Sequence, residues 1–394
     1  MKRLLLACLL IAAAPEQTEI DGYTRYELLA PASHSFRILY DITAATPGAT
    51  AYFNPIRPGS VARDERVRDA ATGKPLAFAE VGGDVARAEG VPRARAEDRY
   101  IRVALARPVA QGGGARIVID KTYEDRASYR SEGDEIVFDR SLGIKRNAVV
   151  LPPGYQLTAC NVPSQVLQEA DGRIKVSFWN TGPGPAPLLL RARRSGGLGS
   201  AVSSVAARFD ERAHQTRNIV YDLQAPETHS FALTHDYTET RTGVATYVNA
   251  VRAGSTVSNP SARDLDTGAR LSTETLRGAA ARAAAPDTKG IDDATDAVIF
   301  RFDPVAAGAS RRIRIAETYT DPARYGLKND ELVWQRSLGR PDNIVLLPGG
   351  WVLTNSSVPA VVTTTADGRV ALRFVNPRSD EIDVVITAQR QPKR

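Results

Sequence analysis

Apolar and polar residues alternate with a period of two along much of the chain. Phe36, Ile38, Tyr40 and Ile42 share one face of a run, as do Phe231, Leu233, His235 and Tyr237. The same phase carries Ile117 and Ile119, Ile136 and Phe138, and Ile174, Val176 and Phe178. It returns at Ile313 and Ile315, Leu332 and Trp334, and Val370, Leu372 and Phe374. Successive strand side chains point to opposite faces, so this alternation predicts half-buried strands. Asp171-Gly172 and Asp367-Gly368 separate such runs and suit hairpin turns. No long stretch carries a helical stripe, and 24 prolines disfavour many helices. Ala279 to Asp287 is Ala-rich and reads as a loop or a short helix. The expected fold class is all-β, as antiparallel sandwiches or saddle-like sheets.

The sequence repeats itself. Pro31 to Phe36 returns as Pro226 to Phe231, an offset of 195 residues. Tyr52, Asn54, Arg57 and Gly59 return as Tyr247, Asn249, Arg252 and Gly254, and the turn Asp69 to Leu76 returns as Asp264 to Leu271. Tyr129 to Gly154 then matches Tyr325 to Gly350 at an offset of 196, with 13 of 26 positions identical. Repetition on this scale means duplication, here of a whole domain. The expected organisation is a leader over 1–19, copy one over 20–195, a Gly/Ser-rich linker over 196–215 and copy two over 216–394. The near-constant offset predicts that the copies match strand for strand.

The order of motifs carries a resemblance. His-Ser-Phe opens a strand, Arg57-Pro58-Gly59-Ser60 forms a loop and Thr72 to Leu76 a turn. Leu-Pro-x-Gly before an aromatic follows at Leu151 to Tyr155 and at Leu347 to Trp351. Each copy resembles the N-terminal β domain of the glycyl aminopeptidase family of zinc peptidases. The resemblance implies a β domain without the family's catalytic domain, so no catalytic residue carries over.

Composition adds destination. Met1-Lys2-Arg3 precedes an apolar run from Leu4 to Ala14, which is the outline of a secretory signal and too short for a spanning helix. Export to the periplasm or medium is expected, with no transmembrane segment in the mature chain. Cys8 falls inside that leader, after a lipobox-like Leu5-Leu6-Ala7, and Cys160 is left without a disulfide partner. The formal net charge is +6, with basic residues scattered among acids rather than striped. That distribution argues against a nucleic-acid partner.

The chemistry search excludes more than it finds. There is no His-Glu-x-x-His, Gly-x-Ser-x-Gly elbow, Walker A loop or Cys-x-x-Cys. His34 and His229 are matched and read as structural. The matched acids Asp134-Glu135 and Asp330-Glu331 are adjacent in a strand, so they point apart. Asp264 to Gly268 resembles part of a calcium loop, but copy one has Ala71 where copy two has Asp266. No cofactor, metal ligand or catalytic residue is expected. The binding candidates are Arg140 and Arg336 in Arg-Ser-Leu-Gly, Asn147 and Asn343 beside them, and Tyr155 and Trp351 as surface aromatics. Arg140 to Gly143 is expected to be a connection between strands, with Gly143 at positive φ, where the Arg clamps carbonyls or a carboxylate. Two functions remain open: a non-catalytic binding or assembly module of the cell envelope, partnered by an envelope protein or polysaccharide, and a hydrolase using carboxylates or a site between the copies.

Overall fold

The computed structural model describes residues 15–195, 209–214, 217–284 and 290–391. The basic start, apolar run and Cys8 of the expected leader lie outside them, as does most of the linker. The first copy runs β1 (Glu19–Leu28), β2 (Ser35–Ala44), β3 (Ala51–Ile56), β4 (Val61–Asp69), β5 (Phe78–Gly82), helix α1 (Gly83–Ala88), β6 (Arg99–Ala104), β7 (Ala115–Glu124), β8 (Tyr129–Glu132), β9 (Glu135–Leu142), β10 (Arg146–Val150), β11 (Tyr155–Cys160), β12 (Gln165–Gln168), β13 (Ile174–Trp179) and β14 (Ala186–Arg194). The second repeats it as β15 (Arg217–Leu223), β16 (Ser230–Glu239), β17 (Thr246–Ala250), β18 (Thr256–Asp264), β19 (Arg270–Arg277), helix α2 (Gly278–Ala284), β20 (Asp296–Arg301), β21 (Arg311–Thr320), β22 (Tyr325–Lys328), β23 (Glu331–Leu338), β24 (Asp342–Leu346), β25 (Trp351–Ser356), β26 (Val361–Thr364), β27 (Val370–Val375) and β28 (Ile382–Arg390). The described part of the Ala-rich stretch, to Ala284, is the short helix α2, and α1 is its counterpart.

Each copy packs a seven-stranded sheet, ordered β12-β13-β10-β1-β2-β7-β4 in the first, against a four-stranded sheet, β11-β14-β9-β8. Their facing side chains form one core per copy, from Phe36, Ile38, Ile119, Phe138 and Leu190 to the matched Phe231, Leu233, Ile315, Trp334 and Ile386. One pairing in each copy is parallel, β1 on β10 with Tyr26 opposite Val149, and β15 on β24 with Tyr221 opposite Val345. A third sheet, β3-β6-β5, flanks the sandwich. In copy two it joins the large sheet through β18 and β19, where Arg263 pairs with Arg270. Copy one has Pro75 in place of Arg270 and keeps only an isolated bridge to Arg68. Proline has no N–H to offer a ladder, which accounts for the gap.

The first copy begins earlier than its sequence boundary. Gln17 bonds both the N–H and the carbonyl of Phe53 through its side chain, and its own N–H donates to Gly90. Thr18 N–H donates to Thr46, and Glu19 opens β1. Residues 17–19 thus hydrogen-bond to copy one.

Candidate functional site

Arg140 and Arg336 lie inside β9 and β23, not in connections, and neither Gly143 nor Gly339 adopts a positive φ. The expected turn is displaced because the pairing of β9 with β14 continues through Leu142 opposite Ala186. Arg140 is buried and donates to Asp125 Oδ2 at 2.7 Å and Ser128 Oγ at 3.1 Å. Its guanidinium lies over Phe36 and Tyr123. Burial favours the neutral acid at Asp125, but hydrogen bonds from Ser128 and the charge of Arg140 outweigh it and hold its pKa down. Arg336 lies over Tyr221, Phe231 and Tyr319, with Asp321 at 3.8 Å.

Asn147 and Asn343 tie down the following turn by donating to Ile144 O at 2.7 Å and Arg340 O at 2.8 Å. Tyr155 is half-buried beside Arg194. Trp351 is buried, contrary to the expectation of a surface aromatic, because it joins the core of copy two with the Arg390 side chain over its ring. His34 and His229 end short 3-10 turns in the left-handed region, and each Nδ1 pairs with a strand carbonyl, of Tyr129 or Tyr325. Asp264 and Asp266 hold Arg311 and Arg116, so this turn pairs with arginines.

A cavity of about 540 Å³ opens in copy one where all three sheets meet. Tyr26 of β1, Tyr40 of β2, Lys121 and Tyr123 of β7, Tyr52 to Arg57 around β3, and Arg140 to Ile144 line it. Sequence inspection passed over its central residue. Lys121 continues the inward phase of Ile117 and Ile119, and that phase alone places an ammonium in the core. It is 4% exposed, donates to Asn54 Oδ1 and to Tyr123 Oη at 3.2 Å, and faces the Tyr123 ring. No carboxylate lies within ion-pair range among the described residues; Glu65 acts from a distance. Burial pulls the Lys121 pKa down to about 7. At another wall Glu19 accepts from Tyr52 Oη and from Tyr40 Oη at 3.2 Å. Burial, reinforced by Glu19, raises both tyrosines well above their usual value.

Copy two has the same cavity, about 270 Å³, with altered chemistry. Tyr247, Asn249, Arg252, Tyr319 and Arg336 stand where copy one has Tyr52, Asn54, Arg57, Tyr123 and Arg140. Glu317 replaces Lys121, and His235 replaces Tyr40. Asn249 turns its amide round and donates to Glu317 Oε2 at 2.6 Å and Tyr319 Oη at 2.8 Å. Burial pushes Glu317 up to about 7 and holds His235 neutral, its pKa well below the ordinary value.

The copies meet through matched parts. Arg116 of β7 grips Asp266 with two bonds of 2.7 Å, and its counterpart Arg312 of β21 reaches back to Asp21. The turn after β18 hydrogen-bonds Gly114, and the turn after β4 hydrogen-bonds Ser310. Part of the expected linker is wedged here. Glu211 accepts from Tyr23 at 2.7 Å and pairs with Lys175, while Arg212 donates to the Gly339 carbonyl.

The chain matches no family model. No curated protein matches it. Among solved structures it is similar to a candidate nutrient-binding protein from Legionella pneumophila, at 12% identity and a TM-score of 0.28, over 46% of this chain and 68% of that one. A candidate protease from Parabacteroides distasonis gives 11% and 0.25, over 96% and 94%. The collagen adhesin of S. aureus gives 9% and 0.18, over 82% and 87%. Likenesses this weak lend no weight to a shared activity.

Proposed function

We propose that the protein is an exported, non-catalytic binding module of the cell envelope whose first copy holds a small anionic ligand above Lys121. The observation that carries this reading is a buried lysine on the wall of an open cavity, with no carboxylate to neutralise it. A buried charge without a partner is costly. A ligand carboxylate or phosphate supplies the missing charge and accepts the Nζ proton that Asn54 and Tyr123 leave unused. Arg57 is exposed at the rim and forms no ion pair among the described residues, so it attracts the same anion. Glu19 at the far wall disfavours a second negative group. The basic start and apolar run at residues 1–14 support export. The resemblance of each copy to the β domain of glycyl aminopeptidases fits a domain that positions rather than reacts.

Calorimetric titration with short monocarboxylates and inorganic phosphate tests the reading. Binding is expected with proton uptake near pH 8, because the anion restores the Lys121 charge, and Lys121→Met is expected to weaken it at least tenfold. Unchanged affinity in that variant, or no binding by any of these anions, overturns the site.

A further inference from the structure

The cavity of copy two is lined by charges of both signs that form no ion pair among the described residues. Glu317 is 3% exposed and His235 4% exposed, so both are buried more than nine-tenths. Glu317 Oε1 and His235 Nε2 are both buried without a hydrogen-bond partner among the described residues, and both residues line the same cavity. The sheet explains their proximity. Glu317 pairs with Leu233 across β16 and β21, and His235 lies two residues further along the same inward face. Diagonal neighbours of this kind are within reach of one small group. Buried polar atoms are nearly always satisfied, so two orphans facing one space ask for a ligand.

The opposite sign lines the same cavity. Arg252 and Arg340 are half-buried, line the cavity and form no ion pair among the described residues. Arg336, between these and the core, already has Asp321 and three aromatic rings. Neither arginine pairs with Glu317 among the described residues, and Glu381, which also lines the cavity, acts on Arg252 without forming an ion pair.

We propose that copy two binds a small zwitterion, its ammonium on Glu317 and His235 and its carboxylate on Arg252 and Arg340. An ammonium has three donors. Glu317 Oε1 takes one. His235 Nε2 takes a second when Nδ1–H donates to Tyr247 Oη, 3.4 Å away. The Tyr247 ring, beside His235, adds a face that attracts a cation. A cavity of about 270 Å³ falls below the roughly 300–1,000 Å³ of drug-sized clefts, which limits the ligand to amino-acid size. A lone amine leaves the arginines unpaired, and a lone acid leaves Glu317 unpaired, so neither satisfies the site.

The test uses the full chain carrying Lys121→Met, which removes the anion site proposed for copy one, so the two readings fail separately. Glycine, L-alanine, β-alanine and γ-aminobutyrate are titrated calorimetrically, with propylamine and propionate as half-ligands. One or more zwitterions are expected to bind, at least tenfold tighter than either half-ligand, with proton release near pH 6.5 as Glu317 ionises. Glu317→Gln and Arg252→Gln are each expected to weaken binding tenfold or more while the circular dichroism stays native. The proposal is overturned if no zwitterion binds, if propylamine or propionate binds as well, or if a natively folded Glu317→Gln protein binds unchanged.

Discussion

Lys121 and Glu317 occupy the same place in the two halves of the chain, and each hydrogen-bonds the matched asparagine of the flanking strand β3 or β17. Asn54 presents its oxygen to the ammonium, and Asn249 presents its nitrogen to the carboxylate. One amide rotation lets the same scaffold accept either charge. The two cavities therefore differ in polarity while their walls coincide.

This pairing gives stability a two-sided pH dependence. Glu317 rises from 4.5 to about 7 on folding, so the native state binds the extra proton and stability falls as pH rises between those values. Lys121 drops from 10.5 to about 7, so the unfolded state binds more protons and stability rises with pH from about 7 to 10.5. Together the two place a minimum near pH 7. Glu317→Gln is expected to flatten the acid slope, by roughly 3 kcal/mol, and Lys121→Met the alkaline slope, by roughly 5 kcal/mol. Urea unfolding across pH 4.5–10.5 checks this, and parallel curves for wild type and both variants refute it.

Arg140→Ala is expected to destabilise copy one by about 3 kcal/mol, since it strands Asp125 and strips the faces of Phe36 and Tyr123. Arg336→Ala should cost less, about 1–2 kcal/mol, because Asp321 stands at 3.8 Å and retains Arg324. Thermal unfolding of the two variants gives the order. The reverse order, or no loss in either, contradicts a structural role.

Asp266→Ala leaves Arg116 buried and unpaired between the copies. The expected loss is about 3–5 kcal/mol, expressed as uncoupling: one urea transition becomes two. A single transition at the wild-type midpoint shows that the pair does not join the halves.

Gly73 is constrained from both sides of the interface. Its φ is +72°, and a Cβ there would approach the Gly308 carbonyl oxygen to 2.6 Å. Gly73→Ala is expected to cost about 2 kcal/mol or more. Gly48→Ala, at φ +78° with open space around it, isolates the conformational part. Equal losses in the two variants remove the clash from the account.

The duplication and the inward faces of the strands were legible because turns and apolar alternation repeat at a fixed offset. Trp334 and Phe138 sit in the core as their phase requires. The cavities were harder to see. Lys121 and Glu317 are in phase with Ile119 and Ile315, yet a polar residue in an apolar phase reads as an interruption until the sheet shows it buried. Arg140 stood out in the sequence for its repeated motif, but Asp125, just after β7, and the rings of Phe36 and Tyr123 that explain it come from elsewhere in the fold. Trp351 misleads for the same reason, since its cover, Arg390, lies on the chain's final strand.

The crossing of Arg116 and Arg312 has a consequence for assembly. Corresponding surfaces of the two halves face each other, as in a two-fold dimer, where one patch is complementary to itself. A tether turns that encounter into an intramolecular one. Association of the halves is then independent of dilution. Copy one produced alone keeps Arg116 but has Ala71 where copy two has Asp266, so a second molecule of copy one offers that arginine no acid, and the match belongs to the unlike pair.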